Sequence, residues 1–141
     1  MNLKYAKRSE DTEQILVIQW AMIQTGAHPE LKWLHHCPNG GSRNKSEAVK
    51  LKQMGVKAGV SDPFLPQPKG RYSGLYIEMK YGNNKLTTAQ KDFIADMKKA
   101  GFYMAVCYAA EAAIEVIKEY IALKDGAAMK AENGSIYKTG A

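Results

Sequence analysis

The chain has 141 residues, 45% of them apolar and 24% charged, with 20 Lys plus Arg against 14 Asp plus Glu and a formal net charge of +6. A chain of this length forms one domain that buries ~65–70% of its unfolded surface without a staple, and Cys37 and Cys107 are too few for a disulfide framework or a structural zinc site. The basic balance favours a polyanionic partner, while the lack of any apolar run near ~18 residues excludes a membrane span and the opening MNLKYAKRSEDTEQ shows no secretory apolar region. A cytoplasmic protein in a reducing setting is expected.

Met1 to Arg8 is a basic lead-in, after which Ser9 is an N-cap with Glu10, Asp11 and Glu13 at the positive end of a helix dipole. Ile15, Leu16, Ile18, Trp20, Met22 and Ile23 recur at helical spacing until Gly26 and Pro29, which predicts a packed first helix. Glu13 reads, from the residues alone, as a dipole-favoured surface acid. Lys32 to His36 reads as a short strand, on which His35 and His36 face opposite ways and cannot both reach one site. Asn39-Gly40-Gly41-Ser42-Arg43 is a loop whose glycines permit positive φ and close approach to a ligand, although an ordinary turn fits as well. A helix within Arg43 to Lys57, ended by Gly55, sets Arg43, Lys45, Lys50, Lys52 and Lys57 against Glu47. Such a run offers phosphates a row of cations; it also fits a plain solvated face.

The chemistry-bearing stretch runs from Gly55 to Gln90. Pro63 to Pro66 and Leu75 to Met79 are expected as two strands of a hairpin, turned by Pro66, Pro68, Gly70 and Gly74. Alternate strand residues share a face ~6.5–7 Å apart, so Glu78 and Lys80 point one way and Ile77 and Met79 the other. The hairpin brings Asp62 to them, and two carboxylates and a lysine then converge. Two carboxylates with waters suit a hard cation such as Mg²⁺. The ion would activate water and neutralise charge on a scissile phosphate, with Lys80 orienting the nucleophile or stabilising the pentacovalent state. A surface ion pair on a small scaffold is the plain alternative. Tyr81 to Lys85 is a turn, and Thr87-Thr88-Ala89-Gln90 opens a helix with a capping box, which accounts for Gln90 structurally while leaving its amide near the carboxylates.

Phe93, Ile94 and Met97 form the expected buried stripe of that helix, with Lys91, Lys98 and Lys99 solvated. Phe102 to Tyr108 is nearly continuous apolar, as in a strand buried on both faces and paired in parallel with the Glu78 strand. Ala110 to Leu123 is a closing helix, and Lys124 to Ala141, rich in Gly, Ala and Lys, is expected to fray as a flexible tail. No repeat is present. The order is helix, strand, helix, strand, strand, helix, strand, helix: an α/β fold with a small mixed sheet flanked by helices.

At Ser61-Asp62, at Glu78-Met79-Lys80 and at Gln90 the sequence resembles the PD-(D/E)XK nuclease superfamily, and more closely its stand-alone phage and bacterial VRR-NUC branch. His36 to Gly41 and the Gly55 to Asp62 lead-in are similar to the asparagine-glycine loop and G-V-x-x-G-x-x-D element of that branch, so residues 9 to 121 are covered and the domain is placed at 1–123. Ser61 departs from the proline of the family name, which touches the loop backbone more than the chemistry. The resemblance implies a restriction-endonuclease-like core. It implies Mg²⁺, with Mn²⁺ accepted, held by Asp62, Glu78, the Met79 main-chain carbonyl and Glu13, with Lys80 and Gln90 in catalysis. It implies DNA contacts at Asn39, Gly40, Gly41, Arg43, Lys45 and Lys57. The expected activity is hydrolysis of branched DNA, with four-way (Holliday-type) junctions favoured, by a homodimer whose candidate interface includes Trp20 and the tail. A flap- or nick-directed nuclease and a DNA-binding module without turnover are the alternatives.

Overall fold

The computed structural model describes residues 7–40 and 44–138, so Gly41 and Arg43 of the expected DNA-contacting loop lie outside the described residues. Helix α1 spans Glu10–Gln24 and is capped at Ser9, whose hydroxyl accepts the Thr12 N–H while the Thr12 hydroxyl accepts the Ser9 N–H. Its buried stripe is narrower than the apolar spacing suggests. Glu13, Val17 and Ala21, four residues apart, are buried, whereas Met22 and Ile23 are 66% and 78% exposed. One stripe of a helix meets the core, and here the stripe includes a carboxylate.

The strand expected at Lys32 to His36 does not form. Pro29–Trp33 is a short 3₁₀ helix, begun by a proline whose fixed φ and missing N–H suit that position. Only His35 pairs, in a two-bond bridge with Phe64. Helix α2 spans Lys45–Gln53, capped by the Asn44 side chain, and buries no residue.

Strands β1 (Phe64–Leu65), β2 (Leu75–Lys80), β3 (Tyr103–Tyr108) and β4 (Ile136–Lys138) form one sheet in that order. β1 is antiparallel to β2, and β3 is parallel to β2 as the apolar run predicts. Helices α3 (Thr88–Lys99) and α4 (Ala110–Ile121) are the crossovers. Leu75, Ile77 and Met79 meet Val17 and Ala21 of α1 and Ala113 and Ile117 of α4 in the core. Side chains alternate along a strand, so Tyr76 lies on the opposite face, where its ring stacks on Phe64 and meets Phe93 and Phe102 edge-on. Phe93, Ile94 and Met97 of α3 are half-buried rather than buried.

The stretch after Leu123 corrects the expectation that it frays. Met129 is buried, β4 pairs in parallel with β3, and the Met129 N–H donates to the Tyr72 hydroxyl at 3.0 Å. Asn133 replaces a missing ladder partner at both ends: its Oδ1 accepts the Met104 N–H at 2.7 Å and its Nδ2 donates to the Phe102 carbonyl at 2.8 Å. Composition signals local propensity only, and these partners lie about thirty residues away. The element order therefore loses the early strand and gains a last one. Asn133→Ala would leave a buried N–H and carbonyl unpaired, and a loss of ~1–3 kcal/mol is expected in urea unfolding. An unchanged midpoint would show that this segment is not integral to the fold.

Candidate active site

The antiparallel register pairs Phe64 with Tyr76 and Leu65 with Leu75. Continued through the Ile77 N–H to Pro63 carbonyl bond of 2.9 Å, it sets Asp62 opposite Glu78. The loop before Asp62 is pressed onto the start of α3. Gly59 has φ +87°, and a Cβ there would lie 2.5 Å from the Ala89 carbonyl group, so only glycine permits the approach. Asp62, Glu78 and Gln90 are thereby gathered at one cleft.

That cleft, of about 730 Å³, is walled by Glu10, Asp11, Gln14, Ile15, Ile18 and Gln19 of α1, by His36, Asn39 and Gly40, and by Met79 beside the three polar residues. Asp62 is buried, with Oδ1 accepting the Cys37 N–H at 2.8 Å and Oδ2 in a close pair with His36 Nδ1. Burial raises its pKa, against the opposing pull of the Cys37 N–H and His36. Glu78 is 5% exposed and its pKa is pushed up to about 8, mainly by burial, with Lys80 opposing and the charges of Glu10 and Asp62 adding to the rise. Gln90 closes the capping box and reaches Glu78 with the same amide. Its Oε1 accepts the Thr87 N–H at 2.9 Å in the capping box, while its Nε2 donates to Glu78 Oε2 at 3.4 Å. Glu78 Oε1 and Ser61 Oγ are buried without a partner in full hydrogen-bond geometry, and the Ser61 hydroxyl weakly favours the charged form of Glu78.

The other expected site residues divide. Asn39 and Gly40 line the cleft, Gly40 at φ +107° and Asn39 tied to the Val60 carbonyl at 2.9 Å. Lys80 is buried next to Glu78, 4% exposed, and is not among the residues that line the cleft. Two side chains that buried rule out the solvent-exposed ion pair of a mere scaffold. Lys45 and Lys57 are exposed outside the cleft.

Glu13 is a correction. It is fully buried away from the cleft, where both of its oxygens take the Arg8 guanidinium and Oε1 also accepts the Ala110 N–H at 3.1 Å. Burial opposes its charge, yet Arg8 and the Ala110 N–H outweigh that and hold the carboxyl below its ordinary pKa. It supplies the side-chain cap that α4 otherwise lacks at Ala109. The acids of α1 that line the cleft are Glu10 and Asp11, with Gln14 one turn on from Glu10. Glu10, Gln14 and His36 are the residues that sequence reasoning left without a role. The i, i+4 spacing of Glu10 with Gln14 and Ile18 was the available signal.

Among the described residues no three or more His, Cys, Asp or Glu side chains form a metal-holding group, and none of the helices is long and apolar enough to cross a membrane. A Mg²⁺ site does not need such a cage, since one or two carboxylates and waters suffice.

The raised pKa of Glu78 has a stability consequence with a definite sign. In the unfolded chain the group ionises near its ordinary value of 4.5 and in the fold near 8, so the stability it contributes is complete below pH 4.5 and is lost as pH rises towards 8. Metal-free protein should weaken across that window, and Glu78→Gln should be more stable than the parent at pH 8 by on the order of a few kcal/mol. Urea unfolding of both proteins at pH 5 and pH 8 checks this, and parallel pH dependences would overturn it.

Comparison with known proteins agrees with this geometry. A family model described as the VRR-NUC domain matches residues 4–111. A solved structure titled "VRR_NUC domain protein" is 34% identical and superposes with a TM-score of 0.73, over 89% of this chain and all of that one. No curated protein matches. With the family model covering most of the chain and the nuclease-type α/β fold shared, this chain belongs to the VRR-NUC family of nucleases.

Proposed function

We propose that the protein is a metal-dependent endodeoxyribonuclease that acts on branched DNA. The observation that supports the reading is the pair of buried carboxylates set across the hairpin, Asp62 and Glu78, with Glu78 Oε1 held by no group in full hydrogen-bond geometry and the Ser61 hydroxyl acting on that carboxylate. A buried polar atom left unpaired is costly, and an oxygen-seeking dication supplies the missing partner. Asp62, Glu78 and the Met79 main-chain carbonyl are the groups that would hold Mg²⁺, or Mn²⁺, which accepts the same oxygen ligands. Glu10 adds a further carboxylate at the cleft wall. Such an ion, when bound, lowers the pKa of a water and offsets charge on the scissile phosphate.

The protein's own groups prepare the site. The Cys37 N–H and His36 fix the Asp62 carboxylate, and Gln90 fixes one Glu78 oxygen while leaving the other free. Lys80, buried beside Glu78 and not itself lining the cleft, would act on charge growing at the phosphate through its field rather than by contact. The substrate's backbone meets cations outside the cleft. α2 buries nothing and presents Lys45, Lys50 and Lys52, with Lys57 beyond it, next to the Asn39-Gly40 wall.

A four-way junction suits a two-fold dimer, because an isologous pair sets two identical sites against two matched strands. Met22, Ile23 and Trp33, all more than half exposed at one end of α1 and the 3₁₀ helix after it, are the apolar surface for that pairing. Trp20 packs against the core instead, and within the described residues the tail up to Lys138 is joined to the sheet through β4.

Cleavage of a synthetic junction is expected only with a divalent ion, with cuts paired across the two-fold axis. Asp62→Ala, Glu78→Ala and Lys80→Ala should each lose roughly a hundredfold or more in rate, and Lys80→Ala should keep its Mn²⁺ affinity by calorimetry. Glu10→Ala should weaken Mn²⁺ binding, whereas Glu13→Ala should lower thermal stability. Full cleavage by Glu78→Ala, or activity in excess chelator, would sink the assignment. A monomer that makes a single unpaired nick would leave the flap- or nick-directed reading.

DNA affinity should fall steeply with salt, because each neutralised phosphate releases counterions. Lys45→Ala combined with Lys52→Ala should flatten the salt slope by roughly one unit for each phosphate no longer neutralised. Fluorescence anisotropy at several salt concentrations measures it, and an unchanged slope would move the phosphate footprint off α2.

A further inference from the structure

The carboxyl ends of the parallel strands carry a second concavity. Tyr81 follows β2, Tyr108 ends β3 and Lys138 ends β4, and in open α/β sheets ligands settle in the crevice outside those ends. Together with Arg8, Gly82 and Glu111 they line about 580 Å³ of space. Tyr81 and Tyr108 are half-buried, and each ring has a cation near its face: the Arg8 guanidinium 5.5 Å from the Tyr81 centroid and the Lys138 ammonium 5.1 Å from the Tyr108 centroid. Arg8 is also paired with Glu13 and lies 3.7 Å from Glu111. Two cations thus stand against two carboxylates, and the concavity is close to neutral. A free anion has little reason to settle there.

What the concavity does offer is ring faces. The cation–ring pairs hold both tyrosines in place, and the Tyr108 hydroxyl donates to the Asn84 carbonyl at 2.5 Å, which fixes that ring against the turn after β2. Ala109, the residue between Tyr108 and α4, is held at φ +85°, a strained value for a residue with a side chain, and strain of this kind collects at ligand sites. A shallow depression joins the two concavities: its lining includes Glu10 and Asp11, which wall the carboxylate cleft, and Arg8, Tyr81 and Gly82, which wall the second one.

We propose that this concavity binds unpaired nucleotides of the same DNA whose phosphodiester lies at Asp62 and Glu78, with bases stacked on Tyr81 and Tyr108. This rests on the nuclease reading and extends it to the choice of substrate. Bases inside a duplex, the paired arms of a four-way junction included, have no free face, so only unpaired nucleotides at a flap, tail or opened branch can use the rings, and the concavity favours the flap-directed alternative over a fully paired junction. Stacking on aromatic side chains is tolerant of sequence. The protein would then recognise the shape of a branch without reading bases.

The test titrates the full chain, without divalent ion, against a fully paired duplex and against the same duplex with a short unpaired tail that contains 2-aminopurine. The tailed probe is expected to bind roughly tenfold more tightly, with its emission quenched on binding. Tyr81→Ala with Tyr108→Ala should abolish both effects, and Tyr81→Phe with Tyr108→Phe should keep both, because the rings remain. Equal binding of the two probes by the parent protein, or binding of the tailed probe without quenching, overturns the proposal whether or not any variant folds. Binding of neither probe overturns it together with the nuclease reading, so the two failures are told apart.

Discussion

Asp62 and Glu78 face each other across a short antiparallel pairing, in surroundings that penalise both charges, and the neighbouring structure is arranged to keep them there. Burial and mutual repulsion push the pair towards holding a proton, and the fold answers with the Cys37 N–H, His36, Gln90 and Lys80 rather than by opening the site to water. One oxygen is left over, Glu78 Oε1. A fold that tolerates this must draw its stability from elsewhere, and the source is the opposite end and inner face of the same strands. Leu75, Ile77, Tyr103, Ile117 and Tyr120 there are wholly buried. The strained chemistry and the packed core share β2, which alternates between them residue by residue.

Helix α1 shows the same division on one element. Its Glu13-Val17-Ala21 stripe faces the core, and Glu13 gives α4 a cap and Arg8 a partner. Its Glu10-Gln14-Ile18 stripe faces the cleft. Two acids three residues apart therefore have unrelated work. The buried one is structural because both of its oxygens are already satisfied, and the partly exposed one, whose Oε2 accepts from the Asn84 amide, still faces the cleft.

Much of the fold was legible in the sequence, and the misses share a cause. The hairpin, the parallel β2–β3 pairing and the α3 capping box were readable because each is written in a short window: turn residues, an apolar run, a Thr and Gln at fixed spacing. The convergence of Asp62 and Glu78 followed from those elements, whereas Lys80, expected with them at one site, is buried and does not line the cleft. Glu13 was misplaced because a helical wheel fixes which residues share a face, not which face meets which neighbour. The segment after Leu123 was misread because its order depends on Asn133, Met129 and Tyr137, each held by partners in β3 or before β2. Lys32 to His36 has the residues of a strand but makes only one bridge, since Pro29 starts a helical turn and His36 is drawn to Asp62.

The distribution of burial also separates the jobs that a small nuclease must do. Groups that act on a phosphate need placement to a fraction of an ångström, and those assigned that task in the proposed function sit on β2, its hairpin partner and the first turn of α3, each fixed by hydrogen bonds or close packing. Groups that meet a long, flexible polyanion gain from reach instead, and the exposed cations of α2, which the proposed function assigns to that task, stand on a helix that buries nothing and shares a concavity with Asn39 and Gly40 through Ala48, Leu51 and Lys52. A single sheet can serve both needs because its strand ends open to one edge. On the proposed reading the carboxylate site is held rigidly by its neighbours, while the cationic surface beside it stays open to solvent.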